Sequence, residues 1–291
     1  MRRTVLAALL LVAAVIGMSG CSGPAVPATG ASPSTSPAPS TTTSAAGSSA
    51  PGARLPEVHL PGANVPSCAS DDPPVVLLPG TFSTVAGNFS SLAAALRADG
   101  RCVYGTNYGL GGIAPVRDSA DAVAGFVDDV LAVTGAERVD VVAFSQGGLV
   151  LRTALREDGL AGDVGTAVLI APTFHGTTSP LVGGVPGLAC PACADQTAGS
   201  ALLADLNAGG DLDGDVRYAT IASRNDTVVT PTQAQSPVGP ADRVRSLIVQ
   251  DRCKDDRVDH LELPGSPGVI DWVRQALATG GRPDPSAYPC R

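Results

Sequence analysis

The residue whose type and setting most favour covalent chemistry is Ser145, in the stretch VDVVAFSQGGL between an apolar β-type run and a helical pattern. A serine on a sharp strand-to-helix turn is held clear of the sheet, and the positions two before and two after it must be small. Those positions are Ala143 and Gly147. The N–H groups that open the following helix point toward developing negative charge. The spacing therefore predicts that Ser145 is a nucleophile.

The alternative is a serine in an ordinary surface turn, because Ala143 replaces the first glycine of the G-x-S-x-G pattern and the match is short. The context favours the nucleophile. VDVVAF is the strongest β-type run in the middle of the chain, and GGLVLRTALRED has helical spacing. A nucleophilic serine also needs an imidazole base and a carboxylate that orients the base.

The sequence contains three histidines that could supply the base: His59, His175 and His260. On a strand–turn–helix elbow the chain order is serine, acid, then histidine, which excludes His59. His260 lies in the loop DHLEL after the last predicted strand, with a strand-end acid before it. We therefore expect His260 to be the base, against the alternative of a surface histidine. We expect His175 to shape the pocket mouth or to bond locally.

Asp226 is the candidate acid, because it follows the predicted strand VRYATIA and would project from the strand end toward the loop of His260. Asp259 is adjacent to His260 in the chain and cannot easily reach its ring in the required geometry. Three further aspartates lie in a Gly-rich stretch that is typical of a solvated turn: Asp211, Asp213 and Asp215. The alternative role for Asp226 is to cap the turn before Pro231.

An acyl-transfer site also needs N–H donors for the oxyanion. One is the N–H of the residue after the nucleophile, and the other comes from the loop after the first core strand. These requirements point to Gln146 and, in the segment LLPGTF, to Thr81. The Thr81 hydroxyl would add a third donor, and Gly80 would let a substrate approach closely. A plain β-turn at residues 79–80 is the alternative interpretation.

The elements that must position these residues alternate along the chain. Apolar runs predict strands at VVLLPG, RCVYG, VDVVAF, TAVLIA, VRYATIA and RSLIVQ, and helical spacing predicts helices over 88–98, 118–134, the stretch after Ser145, and 269–278. Continuous apolar strands that alternate with helices predict a mostly parallel central sheet with helices on both faces, an α/β protein. We expect the active residues at the carboxyl ends of the strands.

The first residues resemble an export signal. Two arginines, an apolar run from Val5 to Ile16 and small residues before Cys21 predict a lipoprotein-type signal peptide over 1–20, too short to span a membrane comfortably. We expect Cys21 to be lipidated and to anchor the protein to the outer face of the membrane. Met18 stands where a lipobox usually has Leu, so free secretion is the alternative. Residues 21–54, rich in Ser, Thr, Pro and Ala, predict a disordered tether before a single domain over 55–291.

The remaining six cysteines form an even set in an exported chain, which predicts three disulfides. Sequence alone allows 15 connectivities, and we expect pairing between segments that could be neighbours: Cys68 with Cys102, Cys190 with Cys193, and Cys253 with Cys290. The C-x-x-C of the second pair could instead be half of a metal site or a redox pair. No second pair at matching spacing and no nearby histidine supports zinc, so we expect no metal.

Composition limits the partners. The formal net charge of −8 argues against nucleic acid, which needs a basic face. The aromatic content of 3% argues against an aromatic-lined polysaccharide cleft. We expect a monomer that acts on an ester or lipid substrate.

The region from about Ser67 to Ala278 resembles the secreted actinobacterial class 2 lipases, through motifs that occur in order: LLPGTF, AFSQGG, APTFHGTT, CPACADQTAGS, LNAGGD, SRNDTVVTP and DHLEL. The resemblance implies the α/β-hydrolase fold and action on carboxylic esters without a cofactor. Residue by residue, the nucleophile, acid and base of the family fall on Ser145, Asp226 and His260. The PGT turn and SQGG elbow also resemble the fungal lipase B type, in which the Thr of the turn donates to the oxyanion.

Two departures from the family pattern concern the site. The family more often has HG where residues 79–80 stand, and GHSQGG where AFSQGG stands. We expect them to alter substrate preference more than chemistry. The apolar segment 178–198, whose composition predicts a loop, is a candidate acyl-binding wall or lid. The alternative is an inert surface loop.

The sequence therefore predicts a serine ester hydrolase, a lipase or esterase acting on acylglycerols or other acyl esters through an acyl-enzyme. One alternative is an acyltransferase, or an esterase of polyesters or cell-wall lipids, with the same three residues. A second alternative, from a different class, is a non-catalytic binding lipoprotein on a hydrolase fold.

Overall fold

The computed structural model describes residues 55–290. The expected signal peptide over 1–20, the tether over 21–54 and the candidate lipidation site Cys21 lie outside these residues, so they stay predictions.

Six parallel strands form one sheet, in the spatial order β2-β1-β3-β4-β5-β6. They span β1 Val75–Leu78, β2 Val103–Gly105, β3 Val139–Phe144, β4 Val164–Ile170, β5 Arg217–Ala222 and β6 Val244–Ile248. Strands β1 and β3 are wholly buried, as expected where helices cover both faces of a parallel sheet. The mostly parallel α/β sheet expected from the sequence is confirmed.

The helices are α1 Val85–Ala98, α2 Gly109–Gly112, α3 Val116–Thr134, α4 Gln146–Glu157, α5 Pro180–Gly183, α6 Pro191–Gln196, α7 Ala201–Ala208, α8 Val249–Arg252 and α9 Pro267–Ala278. Short 3₁₀ helices lie at Leu160–Gly162, Thr232–Gln235, Leu263–Gly265 and Pro285–Ala287. Helices α3, α4 and α7 pack into one apolar core, and α1 and α9 pack into a second core. Both faces of the sheet are therefore covered.

Helix α1 begins three residues before the start predicted at Asn88, because Thr84 caps it. The Thr84 hydroxyl accepts a hydrogen bond from Gly87 N–H at 3.0 Å, which satisfies one of the unpaired donors of the first turn. Helix α3 likewise begins at Val116 rather than at 118, and it ends at Gly135, whose φ of 68° is left-handed. Caps, rather than apolar periodicity, set these boundaries.

Three disulfides join Cys68 to Cys102, Cys190 to Cys193 and Cys253 to Cys290, which are the expected pairs. The first ties the segment before β1 to the start of β2. The third ties the end of α8 to the carboxyl end of the described chain. Within residues 55–290, no helix combines the length and the hydropathy needed to cross a bilayer.

The strand order reverses between β1 and β3, since β2 lies on one side of β1 and the later strands lie on the other. In parallel α/β sheets the loops at such a point leave a crevice at the carboxyl ends of the strands, where ligands bind. Residues 79–84 after β1 and Ser145 after β3 meet there. The topology thus brings the PGT turn and the elbow together.

Candidate active site

Ser145 occupies a strained turn between β3 and α4, with φ 54° and ψ −120°. A positive φ is uncommon outside glycine, so the surrounding structure must hold it. Ser145 N–H donates to Ile170 O at 2.9 Å, and Ser145 O accepts from Gly148 N–H and Thr173 N–H, each at 3.1 Å. These bonds fix the backbone of the turn on both sides of the hydroxyl.

Gly147 lets α4 start close behind the end of β1. A Cβ at this position would lie 2.5 Å from Leu78 O and 2.8 Å from Pro79 O, both backbone atoms that cannot give way easily. Gly80 is constrained from the other side, because a Cβ there would lie 3.2 Å from the Cβ of Ser145. The two loops are thus in van der Waals contact around the serine.

Ser145, His260 and Asp226 form a continuous hydrogen-bonded chain. His260 Nε2 lies 3.0 Å from Ser145 Oγ, and His260 Nδ1 lies 2.7 Å from Asp226 Oδ2. The carboxylate only accepts, so Nδ1 carries the hydrogen and Nε2 can accept from the serine hydroxyl. All three residues are at most 5% exposed. The order and contacts are those that proton transfer from a serine requires.

The carboxylate of Asp226 is held by donors on both oxygens. Val228 N–H and Val229 N–H each donate to Oδ1 at 2.8 Å. Oδ2 accepts from Gln235 Nε2 at 3.1 Å as well as from His260. The turn-capping role considered from the sequence is therefore also present, and one carboxylate serves both purposes.

The loop of His260 is tied to the strand that precedes the acid. Ser223 Oγ donates to Val258 O at 2.6 Å, which joins the end of β5 to this loop. Asp259 Oδ1 accepts from Leu261 N–H at 2.9 Å and therefore faces the backbone and not the imidazole. The ring of Phe144 packs against the imidazole with 4.9 Å between centroids.

The candidate oxyanion donors lie beside Ser145. Gln146 is the first residue of α4, where N–H groups have no partner within the helix. In the PGT turn, Gly80 N–H is already bonded to Asn88 Oδ1 at 3.0 Å, which leaves Thr81 as the candidate donor. Tyr108 hydroxyl donates to Pro79 O and steadies the turn. Burial raises the pKa of Tyr108, so it remains a donor.

Gln196, which the sequence analysis did not single out, orients the Thr81 hydroxyl. Its Nε2 donates to Thr81 Oγ1 at 3.1 Å and to Ala192 O at 3.1 Å, and its Oε1 lies 3.3 Å from Thr173 Oγ1. Thr81 Oγ1 accepts from Nε2 and also lies within donating distance of Oε1, at 3.4 Å, so this one amide fixes the position of the hydroxyl. We expect the hydroxyl to donate to Oε1 until a substrate oxygen takes its place. In the sequence, the one sign that could have pointed to Gln196 is a polar side chain at the end of the segment CPACADQ.

A pocket of about 360 Å³ opens in front of Ser145. The candidate wall segment 178–198 contributes four lining residues to it: Leu181, Val182, Cys193 and Gln196. The ends of the segment are pinned together, because Thr177 forms a bridge with Thr197. The segment therefore lines the pocket, whereas acyl binding and motion as a lid stay predictions.

The expected solvated turn at 211–215 is wrong for two of its aspartates. Asp213 is buried and pairs with Arg156, and Asp211 pairs with His175 and with the fully buried Arg152. The arginines come from α4, so packing against that helix, which local composition cannot reveal, draws the acids inward. Burial works to raise the pKa of Asp211, but the hydrogen bonds from His175 and Val238 outweigh it and hold that pKa below its ordinary value.

Within residues 55–290, no group of three or more His, Cys, Asp or Glu side chains is arranged to hold a metal ion. A larger cavity of about 580 Å³ lies at the other end of the sheet, beside the first disulfide and residues 134–138, and its lining contains no serine–histidine pair. Of these two cavities, the one in front of Ser145 is therefore the candidate site.

A family model described as lipase (class 2) matches residues 72–263, more than half of the chain. Among solved structures, lipase B of Aspergillus fumigatus superposes with a TM-score of 0.68 at 24% identity, over 78% of this chain and 57% of that chain. This chain thus spans little more than half the length of that lipase. No curated protein sequence matches the chain significantly.

Two further solved structures share the fold. A protein of Agrobacterium vitis S4 has a TM-score of 0.51 at 20% identity, over 73% of this chain and 89% of that one. The product of gene lin2722 of Listeria innocua has a TM-score of 0.50 at 14% identity, over 72% and 94%. Likeness at these identities shows the α/β-hydrolase fold and no more.

Proposed function

The chain belongs to the class 2 lipase family, and on that premise we propose that it hydrolyses carboxylic esters with Ser145, His260 and Asp226 as nucleophile, base and acid. The observation that carries the proposal is the unbroken contact from Ser145 Oγ through the imidazole to the carboxylate, at 3.0 Å and 2.7 Å.

This arrangement supports the following reaction. Ser145 Oγ attacks the acyl carbon while His260 Nε2 takes its proton, and Asp226 stabilises the imidazolium that forms. The N–H groups of Gln146 and Thr81, with the Thr81 hydroxyl, stabilise the oxyanion. His260 then protonates the departing alkoxide, which leaves an acyl-enzyme. Water, deprotonated by the same imidazole, releases the carboxylic acid and frees the serine.

The pocket wall supports a proposal for the substrate class. Apolar side chains at the mouth, Phe82, Leu181 and Leu261, are more than 60% exposed and accept an acyl chain rather than a sugar or a charged group. We therefore infer acylglycerols or related acyl esters as substrates.

The test is labelling with a fluorophosphonate together with hydrolysis of p-nitrophenyl butyrate. The wild-type protein should be labelled once per chain, and Ser145→Ala should lose both labelling and at least a thousandfold in kcat/KM. Ser90→Ala, at an exposed position of α1, is the control. Full hydrolysis by Ser145→Ala would refute the mechanism, and an unlabelled wild-type protein would favour a non-catalytic binding protein. Transfer products formed with an added alcohol would indicate an acyltransferase.

Location is part of the same proposal. Three disulfides are typical of proteins in an oxidising compartment, which supports export. We propose that Cys21 is lipidated and anchors the chain at the outer face of the membrane. The full chain should partition into Triton X-114 detergent, whereas Cys21→Ser should remain in the aqueous phase. Equal partitioning of the two would indicate secretion without an anchor.

A further inference from the structure

The 3₁₀ helix Thr232–Gln235 directs one side chain inward, that of Gln235, which is fully buried. Its Nε2 donates to Asp226 Oδ2 at 3.1 Å and to Val229 O at 2.8 Å. Neither the order of the triad nor any motif in the sequence requires a glutamine at this position. We therefore infer the role of Gln235 from its contacts with Asp226 and Val229.

The orientation of the Gln235 amide follows from its neighbours. A carboxylate oxygen and a peptide carbonyl both only accept, so they select the NH₂ group and exclude the amide oxygen. The amide oxygen Oε1 accepts no hydrogen bond from the described residues. The amide is therefore held as a double donor, although this leaves its own oxygen unpaired.

The segment that carries Gln235 is anchored on both of its sides. His175 N–H donates to Ala234 O at 3.0 Å, and the His175 ring Nδ1 lies 3.2 Å from the same oxygen. On the other side, Val238 N–H donates to Asp211 Oδ2 at 2.7 Å. His175 Nε2 also contacts Asp211, so one pair clamps both ends of the segment. Because the segment is fixed, the amide is fixed relative to Asp226.

Asp226 Oδ2 therefore serves two donors, Gln235 Nε2 and His260 Nδ1. The donor from Gln235 stabilises the ionised carboxylate and locks the plane in which that oxygen faces the imidazole. The acid can then hold one ring orientation of His260 throughout the reaction. Without the Gln235 donor, the imidazole would be the one remaining partner of Oδ2 among the described residues, and this oxygen would be held less firmly.

We propose that Gln235 is a positioning residue: its side-chain amide orients Asp226, and through Asp226 the imidazole of His260. This inference rests on the proposed function, in which these residues are acid and base. The clamp of His175 and Asp211 holds the segment that presents the amide.

The test uses three variants of the full chain. Gln235→Met keeps the side-chain length but removes the donor, and Gln233→Met, at an exposed position of the same 3₁₀ helix, is the matched control. After active-site titration, Gln235→Met should lower kcat by about 10- to 100-fold with KM within about twofold, as expected for a lost hydrogen bond to a charged group. Gln233→Met should match the wild type.

Gln235→Glu tests the proposal through the pH dependence of kcat, which a purely structural role of Gln235 would leave unchanged. The new carboxyl can donate to Asp226 only while it is protonated, because two carboxylates would repel. Its kcat, divided by that of the wild type at the same pH, should therefore fall as pH rises from 5 to 8. A wild-type pH profile for Gln235→Glu would overturn the proposal.

A spectroscopic measurement separates this proposal from the proposed function. In the Ser145→Ala background, which needs no activity, the low-field proton resonance of His260 Nδ1–H should shift in Gln235→Met and stay in place in Gln233→Met. An unchanged resonance would overturn the positioning role, whatever the catalytic assays show. A shifted resonance, together with a wild-type protein that fluorophosphonate does not label, would support the positioning role and refute the proposed reaction.

Discussion

At the scale of single residues, the site depends on amide side chains that hold polar groups in place. Gln196 orients the Thr81 hydroxyl, and Gln146 Nε2 donates to Gly112 O at 2.9 Å, which ties the elbow to α2. Amides suit this task because each provides two donors and one acceptor and carries no charge that would compete with the acid or the base.

Substitution of Thr81 should separate the hydroxyl from the backbone N–H. We expect Thr81→Val to lower kcat on p-nitrophenyl butyrate by about 10- to 1000-fold, since it removes one donor to the oxyanion and leaves the turn intact. Thr81→Ser keeps the hydroxyl and should retain most of the activity. Equal kcat values for Thr81→Val and the wild type would mean that the hydroxyl makes no contact in the transition state.

The sequence was sufficient to nominate Ser145, His260 and Asp226, because serine, histidine and aspartate follow strand ends in a fixed order and histidines are few. It was not sufficient for Gln196 and Gln235. A buried glutamine is chosen by the three-dimensional position of its partners, and no periodicity or spacing reports that position. Their roles become visible only when the loops after β4 and β5 are seen together.

At the scale of elements, the elbow depends on how closely α4 approaches the end of β1. The strained φ of Ser145 is held by hydrogen bonds to Ile170, at the end of β4, and to Gly148, in the first turn of α4, and not by an intrinsic preference of serine. Sequence patterns located the strand and the helix to within a few residues. The exact start of α1 at Val85 depended on the cap at Thr84, which a search for apolar periodicity does not detect.

Gly147, at the start of α4, should tolerate substitution least among the positions of this helix. Gly147→Ala would place a Cβ 2.5 Å from Leu78 O, so we expect about 1 to 3 kcal/mol lower free energy of unfolding and a large loss of kcat. Urea unfolding and active-site titration measure the two effects.

Gly125 provides the contrast, because it is exposed within α3 and a Cβ there would meet nothing within 4 Å. Gly125→Ala should raise the free energy of unfolding by about 0.5 to 1 kcal/mol and leave kcat unchanged. If Gly147→Ala behaved in the same way, the close approach of α4 to β1 would not be needed for the elbow.

At the scale of the whole molecule, the two ends of the sheet have different roles. The carboxyl ends carry the site, whereas the amino ends carry a buried carboxyl, that of Asp140, next to Arg101 and Thr166. Burial raises the pKa of Asp140 to about 6, although Thr166 and Arg101 act in the opposite direction. Asp140 therefore makes the stability of the fold depend on pH.

The sign follows from the raised pKa. The folded protein binds the Asp140 proton more tightly than the unfolded chain, so the associated stability is present below about pH 4 and is lost as pH rises through about 6. The side chain of Asn does not ionise, so Asp140→Asn should not lose this stability as pH rises. Its free energy of unfolding should improve relative to the wild type by about 3 kcal/mol at most between pH 4 and pH 7.

Urea unfolding at four pH values between 4 and 7 measures that difference directly. Asp128→Asn, on an exposed face of α3, is the control for the removal of a surface carboxyl. A difference that stays constant with pH for Asp140→Asn would mean that the Asp140 carboxyl is ionised throughout this range at little cost.

The bridge between Thr177 and Thr197 makes the intervening segment a closed loop whose two ends leave the body of the protein side by side. The C-x-x-C disulfide lies inside that loop, and Leu181 and Val182 face the pocket. A change in the length of the tip of this segment therefore need not move a strand. The side chains that line the pocket at this tip could therefore change while Ser145, His260 and Asp226 stay in place. Exchange of residues 181–189 for those of a relative, which leaves the hydrogen bonds of Thr178 and Ser179 intact, is a practical way to change substrate preference without altering the proposed triad.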